Sequence, residues 1–371
     1  MAKTNVPPRS VADQLAGLLE SPEIDELISE LDALRWTGRN GYGSRALVGA
    51  CLVKSLYALP TWTRTTRLIA EHAALQDALG GSPSVWACYR FTVKLREHAP
   101  ILSACLDRVV AALAERLPGY GEHAAMDSSD LPAYANGQRY VSKNGPERER
   151  FSDPDASWGH RSAVSTRKGG GFYGYKLHAA VCAVTGLPLA WRIESARHGV
   201  ALFALPLLAA MGERGLSPET CVMDKGYDSR AIHDACEAQD CRPIIPLIRQ
   251  HKARTLDDVP TCGHGRWTFA GADFARKATK WRCPSGACQP KSVWIKADRR
   301  NPLVPRSTKR WGDLYCGRGA VERTFGRLKN EYGLKPLRVR GIERVRLHAD
   351  LTALAMLAPA LSRARAVPIA A

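Results

Sequence analysis

The stretch GFYGYKLHAAVCAV (171–184) followed by TGLPLAWRIESA (185–196) decides the architecture. Both runs are rich in β-branched and aromatic residues, which predicts the two strands of a hairpin. Downstream the texture alternates. A helix is expected over about 200–214, a short buried strand at TCVMD (220–224), a helix over about 229–239 and a strand at CRPIIPL (241–247). Strands alternating with helices predict an α/β fold. Upstream, EHAAMDSSDL (122–131) predicts a strand ending in a polar turn, and residues 136–170, rich in Ser, Gly, Asn and Arg, predict a long, partly mobile loop. Residues 247–312 interrupt the alternation with Pro, Arg and Trp and are read as an insertion. Two helices, about 316–332 and 341–363, close the chain.

The first 118 residues predict only helices, over about 11–37, 45–59, 64–80, 84–97 and 100–117, and are assigned to a separate N-terminal domain (1–118) ahead of a second domain (119–371). Ser84 suits an N-cap, and Gly80-Gly81-Ser82-Pro83 gives a short turn. The flanking helices are read either as a helix-turn-helix exposing Tyr89, Arg90 and Lys94 or as a plain packed pair.

Of 371 residues, 53 are Lys or Arg and 36 Asp or Glu, a formal net charge of +17. Such an excess favours a polyanionic partner over a small acidic ligand. Residues 249–346 hold 24 basic and 8 acidic side chains, so this segment carries nearly all of the excess. The start, MAKTNVPPRSVADQL, lacks an apolar signal core, and no run of about 18 apolar residues occurs. The expectation is a cytoplasmic, nucleoid-associated protein with no membrane contact. Most of the 11 cysteines stand singly in apolar stretches, as reduced packing residues do.

Two aspartates close predicted strands: Asp127 after HAAM and Asp224 after TCVM. Strand ends are where an α/β sheet gathers reactive groups. Asp130 is the alternative to Asp127 if the first strand ends three residues later. A third carboxylate, Glu322, sits in the acid-poor basic segment. Tyr315, Arg318, Glu322 and Lys329 follow one another at steps of three, four and seven, which places them on one stripe of a helix. Three carboxylates brought together would repel without a cation, and hard oxygen donors suit magnesium or manganese. Tyr315, Arg318 and Lys329 would grip phosphates beside such a site.

These residues resemble the DDE transposases of bacterial insertion sequences, in the group marked by a Tyr-x2-Arg-x3-Glu-x6-Lys signature, which Tyr315 to Lys329 fits without a gap. DKGYDSR (224–230) is similar to the motif of the second aspartate, MDSS (126–129) to the strand of the first, residues 174–199 to a Gly-x-Lys-x-His segment, and RVRGIERVRLHADLTALAMLA (338–358) to the terminal helix. The resemblance implies an RNase H-like catalytic core with Asp127, Asp224 and Glu322 as the metal-binding triad, and DNA contacts from Lys176 and His178. It further implies binding of double-stranded terminal inverted repeats and target DNA, metal-dependent cleavage and strand transfer, end recognition by the N-terminal helices, with Arg90 among the contacts, and a homodimer on DNA. A catalytically silent DNA-binding relic or regulator of the same fold is the alternative.

Within the insertion, Cys262-x-His264 and Cys283-x4-Cys288 are eighteen residues apart. Two Cys/His pairs across such a loop can make a tetrahedral structural zinc site, although the spacing is not that of a standard knuckle.

Overall fold

A computed structural model describes residues 10–34, 41–139, 141, 145–147, 150–161, 168–248 and 259–366. Parts of the expected polar loop, of the insertion's start and of the first helical run (35–37) lie outside these.

Seven helices come first: α1 (Val11–Leu19), α2 (Pro22–Ala33), α3 (Ser44–Leu56), α4 (Trp62–Glu71), α5 (Ala73–Leu79), α6 (Val85–Glu97) and α7 (Ala99–Arg116). Local chemistry sets their limits. Ser10 and Asp13 form a reciprocal capping box on α1, and Pro22 at the first turn of α2 splits the expected 11–37 run in two. Ser84 caps α6 through the Ala87 amide (3.2 Å) as expected, and Gly80, with φ of +72°, ends α5.

The sheet is built from β1 (His123–Pro132), β2 (Ser157–Arg161), β3 (Gly170–Cys182), β4 (Pro188–Ser195), β5 (Thr220–Met223) and β6 (Arg242–Ile244), with α8 (Ala204–Glu213) and α9 (Arg230–Ala238) between the later strands. β3 pairs antiparallel with β1 on one side, and with β4 and β2 laid end to end on the other. β1, β5 and β6 run parallel. Two sequence expectations change here. β2 lies inside the stretch read as loop, and β1 does not end at Asp127 but continues to Pro132, because β3 is long enough to pair with it throughout.

The insertion holds a hairpin, β7 (Thr261–Cys262) with β8 (Gly265–Arg266), and a three-stranded sheet of β9 (Thr268–Asp273), β10 (Ala278–Arg282) and β11 (Ser292–Lys296). The chain then forms α10 (Lys309–Tyr315), a 3₁₀ turn (Cys316–Arg318), α11 (Gly319–Asn330) and α12 (Ile342–Ala366). The helix expected over 316–332 is α11, which starts only after a 3₁₀ turn at Cys316–Arg318, where Gly317 and Gly319 weaken helical propensity, and a further helix, α10, precedes that turn.

α12 is apolar over most of its circumference and packs between β4 and the N-terminal helices α1, α3, α6 and α7. One hydrophobic cluster accordingly runs from Leu15 through the sheet to Leu361, with no break in the core at residue 118. Arg365 forks onto both oxygens of Glu23 (2.9 and 2.6 Å). The N-terminus of α12 is held by carboxylates: the Gly341 amide donates to Asp153 and the Ile342 amide to Asp155.

Candidate active site

The last registered pair between parallel β1 and β5 is Met126 with Met223. Asp127 and Asp224 are the next residues on each strand, so they leave the pairing at the same level. β5 stops there because Asp224 turns the chain, its Oδ1 accepting from the Gly226 amide at 2.7 Å. Glu322 arrives on α11, whose apolar side (Ala320, Val321, Phe325, Leu328) is buried on the sheet.

Arg318 ties the groups together. Its Nη1 donates to Asp127 Oδ2 (2.8 Å) and its Nη2 to Glu322 Oε1 (2.7 Å). The guanidinium thus bridges Asp127 and Glu322, while Asp224 is held by the Gly226 amide. Burial pushes the Asp127 carboxyl up to about 6, the charges of Asp224 and Glu322 adding to the effect while the Ser128 amide and Arg318 oppose it. A half-buried carboxylate with two like charges nearby, opposed by the Arg318 cation, is a donor set that fits a hard divalent ion.

The remaining signature residues take distinct places. Lys329 Nζ donates to Ser129 Oγ on β1 (2.6 Å), two residues beyond Asp127. Tyr315 ends α10 and stacks on Trp311, with ring centroids 4.8 Å apart and planes 13° apart. Burial raises its hydroxyl pKa, with Arg318 opposing.

Asp130, the alternative to Asp127, is in register with Lys176, and Ser128 with His178, whereas Asp127 is in register with Ala179. Directly paired residues share a face and successive residues alternate, so Asp130, Lys176 and His178 lie on the side away from Asp127. Asp130 instead meets Arg161 at 3.5 Å. The expectation of a DNA contact from His178 is corrected. Its side chain is buried against Phe203 (ring centroids 4.2 Å), with neither ring nitrogen hydrogen-bonded, and burial lowers its pKa to about 3, helped by Lys176, His198 and Arg192. β3 is covered on both faces, so strand alternation does not expose this residue. Lys176 is half-buried and donates to the His198 carbonyl (3.3 Å).

On the helical side, Tyr89 and Arg90 are exposed as expected, but Lys94 spans to the Leu31 carbonyl (2.6 Å) and is a structural contact. Trp86, 73% exposed, and Arg90 line a groove that continues over Tyr134, Arg338, Arg340 and Arg344. Arg338 and Arg340 lie over the Tyr134 ring. In the insertion, Cys262, His264, Cys283 and Cys288 converge, their donor atoms all within 4.8 Å of one another. This is the only such group among the described residues.

Three features escaped sequence reasoning. The Tyr227 hydroxyl is buried without a hydrogen bond, its pKa raised by burial and by the charges of Asp127 and Asp224. Ser129 receives Lys329. Asp228, within the quoted DKGYDSR motif, has a fully buried side chain that accepts both arms of Arg299 (2.7 and 2.6 Å) and the Ile248 amide (2.8 Å). Its pKa is pushed up by burial, but donors from His233, Arg299 and Ile248 outweigh this and hold it low. The motif marked Asp228; its partner, 71 residues on, had no signal.

Two carboxylates one residue past the last pair of adjacent parallel strands, with a third on a helix packed on the same sheet, form an acidic constellation. The family model of the transposase DDE domain matches residues 120–358, well over half of the chain, and the protein belongs to that family. No curated protein matches. Among solved structures, a cryo-EM structure of the piggyBac transposase synaptic complex with hairpin DNA is similar over 98% of this chain and 78% of that one, at 11% identity and a TM-score of 0.40.

Proposed function

We propose that the chain is a transposase that binds the terminal inverted repeats of its element, cuts DNA there in a metal-dependent reaction and joins the freed 3′ ends to target DNA. The observation that carries this reading is the placement of Asp127 and Asp224 one residue past the last β1·β5 pair, with Arg318 linking Asp127 to Glu322. The catalytic core is RNase H-like in this reading, which the order β4–β3–β1–β5–β6 supports, with three antiparallel strands followed by two parallel ones.

Asp127, Asp224 and Glu322 hold magnesium or manganese. Such ions, when bound, activate water or a 3′-hydroxyl and stabilise the leaving oxygen. Arg318 keeps the carboxylates in place before metal binds and then turns a planar fork of donors to the phosphate. Lys329 supplies a point charge over β1, and the Tyr315–Trp311 stack braces the turn that carries Arg318. The 3′-hydroxyl or water loses its proton to solvent or to a carboxylate of the triad. Trp86, Tyr89 and Arg90 with the Arg338–Arg344 segment contact the repeat, and two chains pair the two ends as a homodimer.

The test is cleavage of a labelled duplex bearing the flanking inverted repeats, with magnesium or manganese. Nicking at the repeat boundary by the wild type, absent in Asp127→Asn, Asp224→Asn and Glu322→Gln, is expected. Salt-sensitive binding with no nicking under any metal would reassign the protein to a silent DNA binder.

A further inference from the structure

The insertion stands apart from the core. Among its described residues only Val304 joins the large hydrophobic cluster and only Trp311, at its end, packs against it, and its own interior amounts to little more than Trp281, packed edge-on against Phe269 and bonded to Thr279 (2.9 Å). A unit this small needs a covalent or metal staple to hold one conformation. Two turns meet at its edge. Cys262-Gly263-His264-Gly265 forms the β7–β8 hairpin, with Gly265 at φ +113°. Cys283-Pro284-Ser285-Gly286-Ala287-Cys288 leaves β10, with Gly286 at φ +69°. Both turns rely on the positive φ that glycine tolerates.

We propose that Cys262, His264, Cys283 and Cys288 bind one structural zinc ion. Cys262 Sγ lies 3.8 Å from Cys283 Sγ and 3.9 Å from His264 Nδ1, and Cys288 Sγ lies 3.7 Å from the same nitrogen. Bonds of about 2.3 Å to sulfur and about 2.0 Å to nitrogen give tetrahedral edges of roughly 3.5–3.8 Å. A disulfide needs about 2.05 Å, and all four sulfur and nitrogen donors converge instead as one shell. Four protein ligands fill a tetrahedron, so the site is closed and structural, and soft thiolates separate it in kind from the hard carboxylates at Asp127 and Asp224. The ion joins the hairpin bearing Arg266 to the sheet bearing Lys280, Arg282 and Lys296, fixing a basic surface that has almost no core of its own. None of this depends on the catalytic reading.

The test uses the full chain, purified untagged in reducing buffer without chelator. Elemental analysis is expected to give about one zinc per chain, retained in Asp127→Asn, Asp224→Asn and in Cys316→Ser, whose exposed thiol lies outside the cluster. His264→Ala should lose the metal and His264→Cys should keep it, separating loss of a ligand from loss of folding. Cobalt(II) in place of zinc should show thiolate-to-metal charge-transfer absorption. Well under one zinc per chain in the wild type, with no cobalt–thiolate band, overturns the proposal. So does zinc that survives His264→Ala together with Cys288→Ser, or that disappears with Asp127→Asn.

Discussion

Arg318 reaches Asp127 across 191 residues of sequence, Nη1 to Oδ2 at 2.8 Å, and so fixes the helix carrying Glu322 against the strand carrying the first carboxylate. With Arg318→Gln, the hydrogen-bonding reach partly survives but the charge is gone, and Asp127 and Asp224 face each other with less compensation. Cleavage is expected to fall roughly 10²–10³-fold, the scale for removing one preorganised donor, while repeat binding changes little. Single-turnover nicking beside a gel-shift titration measures both. Equal loss of binding and cleavage would make Arg318 a general DNA contact instead.

The Asp228–Arg299 pair fastens the insertion to the catalytic sheet. Asp228→Ala strands a guanidinium in a part-buried place, and removing one partner of such a pair costs about 3–5 kcal/mol. The folded carboxyl is held below its ordinary value, so its contribution is present above about pH 4 and is lost as pH falls further. Urea unfolding at pH 7 and pH 3 should show the variant's deficit shrinking at the lower pH. A deficit independent of pH would assign the effect to packing.

Asp350 titrates the other way. It accepts from Trp191 Nε1 at 2.8 Å, and burial raises its carboxyl to about 6 against the opposing pull of Trp191, Arg214 and Arg346. The folded state therefore holds its proton more tightly than the unfolded chain, and this stability is present below about pH 4 and lost as pH rises through 6. Asp350→Asn keeps an acceptor for the indole and removes the charge. Relative to wild type, it should gain stability between pH 4 and 8, by up to about 3 kcal/mol. Denaturant midpoints across that range decide the matter, and a constant difference would refute the assignment.

Much of the core was legible because two signals are strong and local. HAAM and TCVM read as strands, and the Tyr315–Lys329 spacing reads as a helical stripe, which the structure divides among α10, the 3₁₀ turn and α11. Register is not local. That Asp127 and Asp224 stand at one level, each just past the last β1·β5 pair, depends on which residues of β1 and β5 pair, which no property of either strand specifies alone. β2 was missed because Ser157–Arg161 sits in a polar stretch whose edge pairing comes from β3. His178 misled because alternation exposes one face only when that face is uncovered, and here Phe203 covers it. The 3₁₀ turn before α11 was read as helix, although Gly317 and Gly319 carry low helical propensity there.

The groove over α6 carries aromatic and cationic side chains together. Trp86→Ala and Arg90→Ala should each weaken repeat binding while leaving α6 folded, since both side chains are exposed. For Arg90→Ala the slope of log affinity against log salt should drop by about one, as for one lost phosphate contact. Fluorescence anisotropy over a salt series measures it. An unchanged slope would move DNA recognition off this face.

α12 fills the space between the sheet and the first helices, and this affects how the protein is made. The N-terminal helices leave the ribosome long before the element that covers them, so they cannot complete their packing until translation reaches the last turns of α12. A frameshift or stop codon anywhere upstream of residue 342 therefore yields chains with apolar helix faces open to chaperones and proteases.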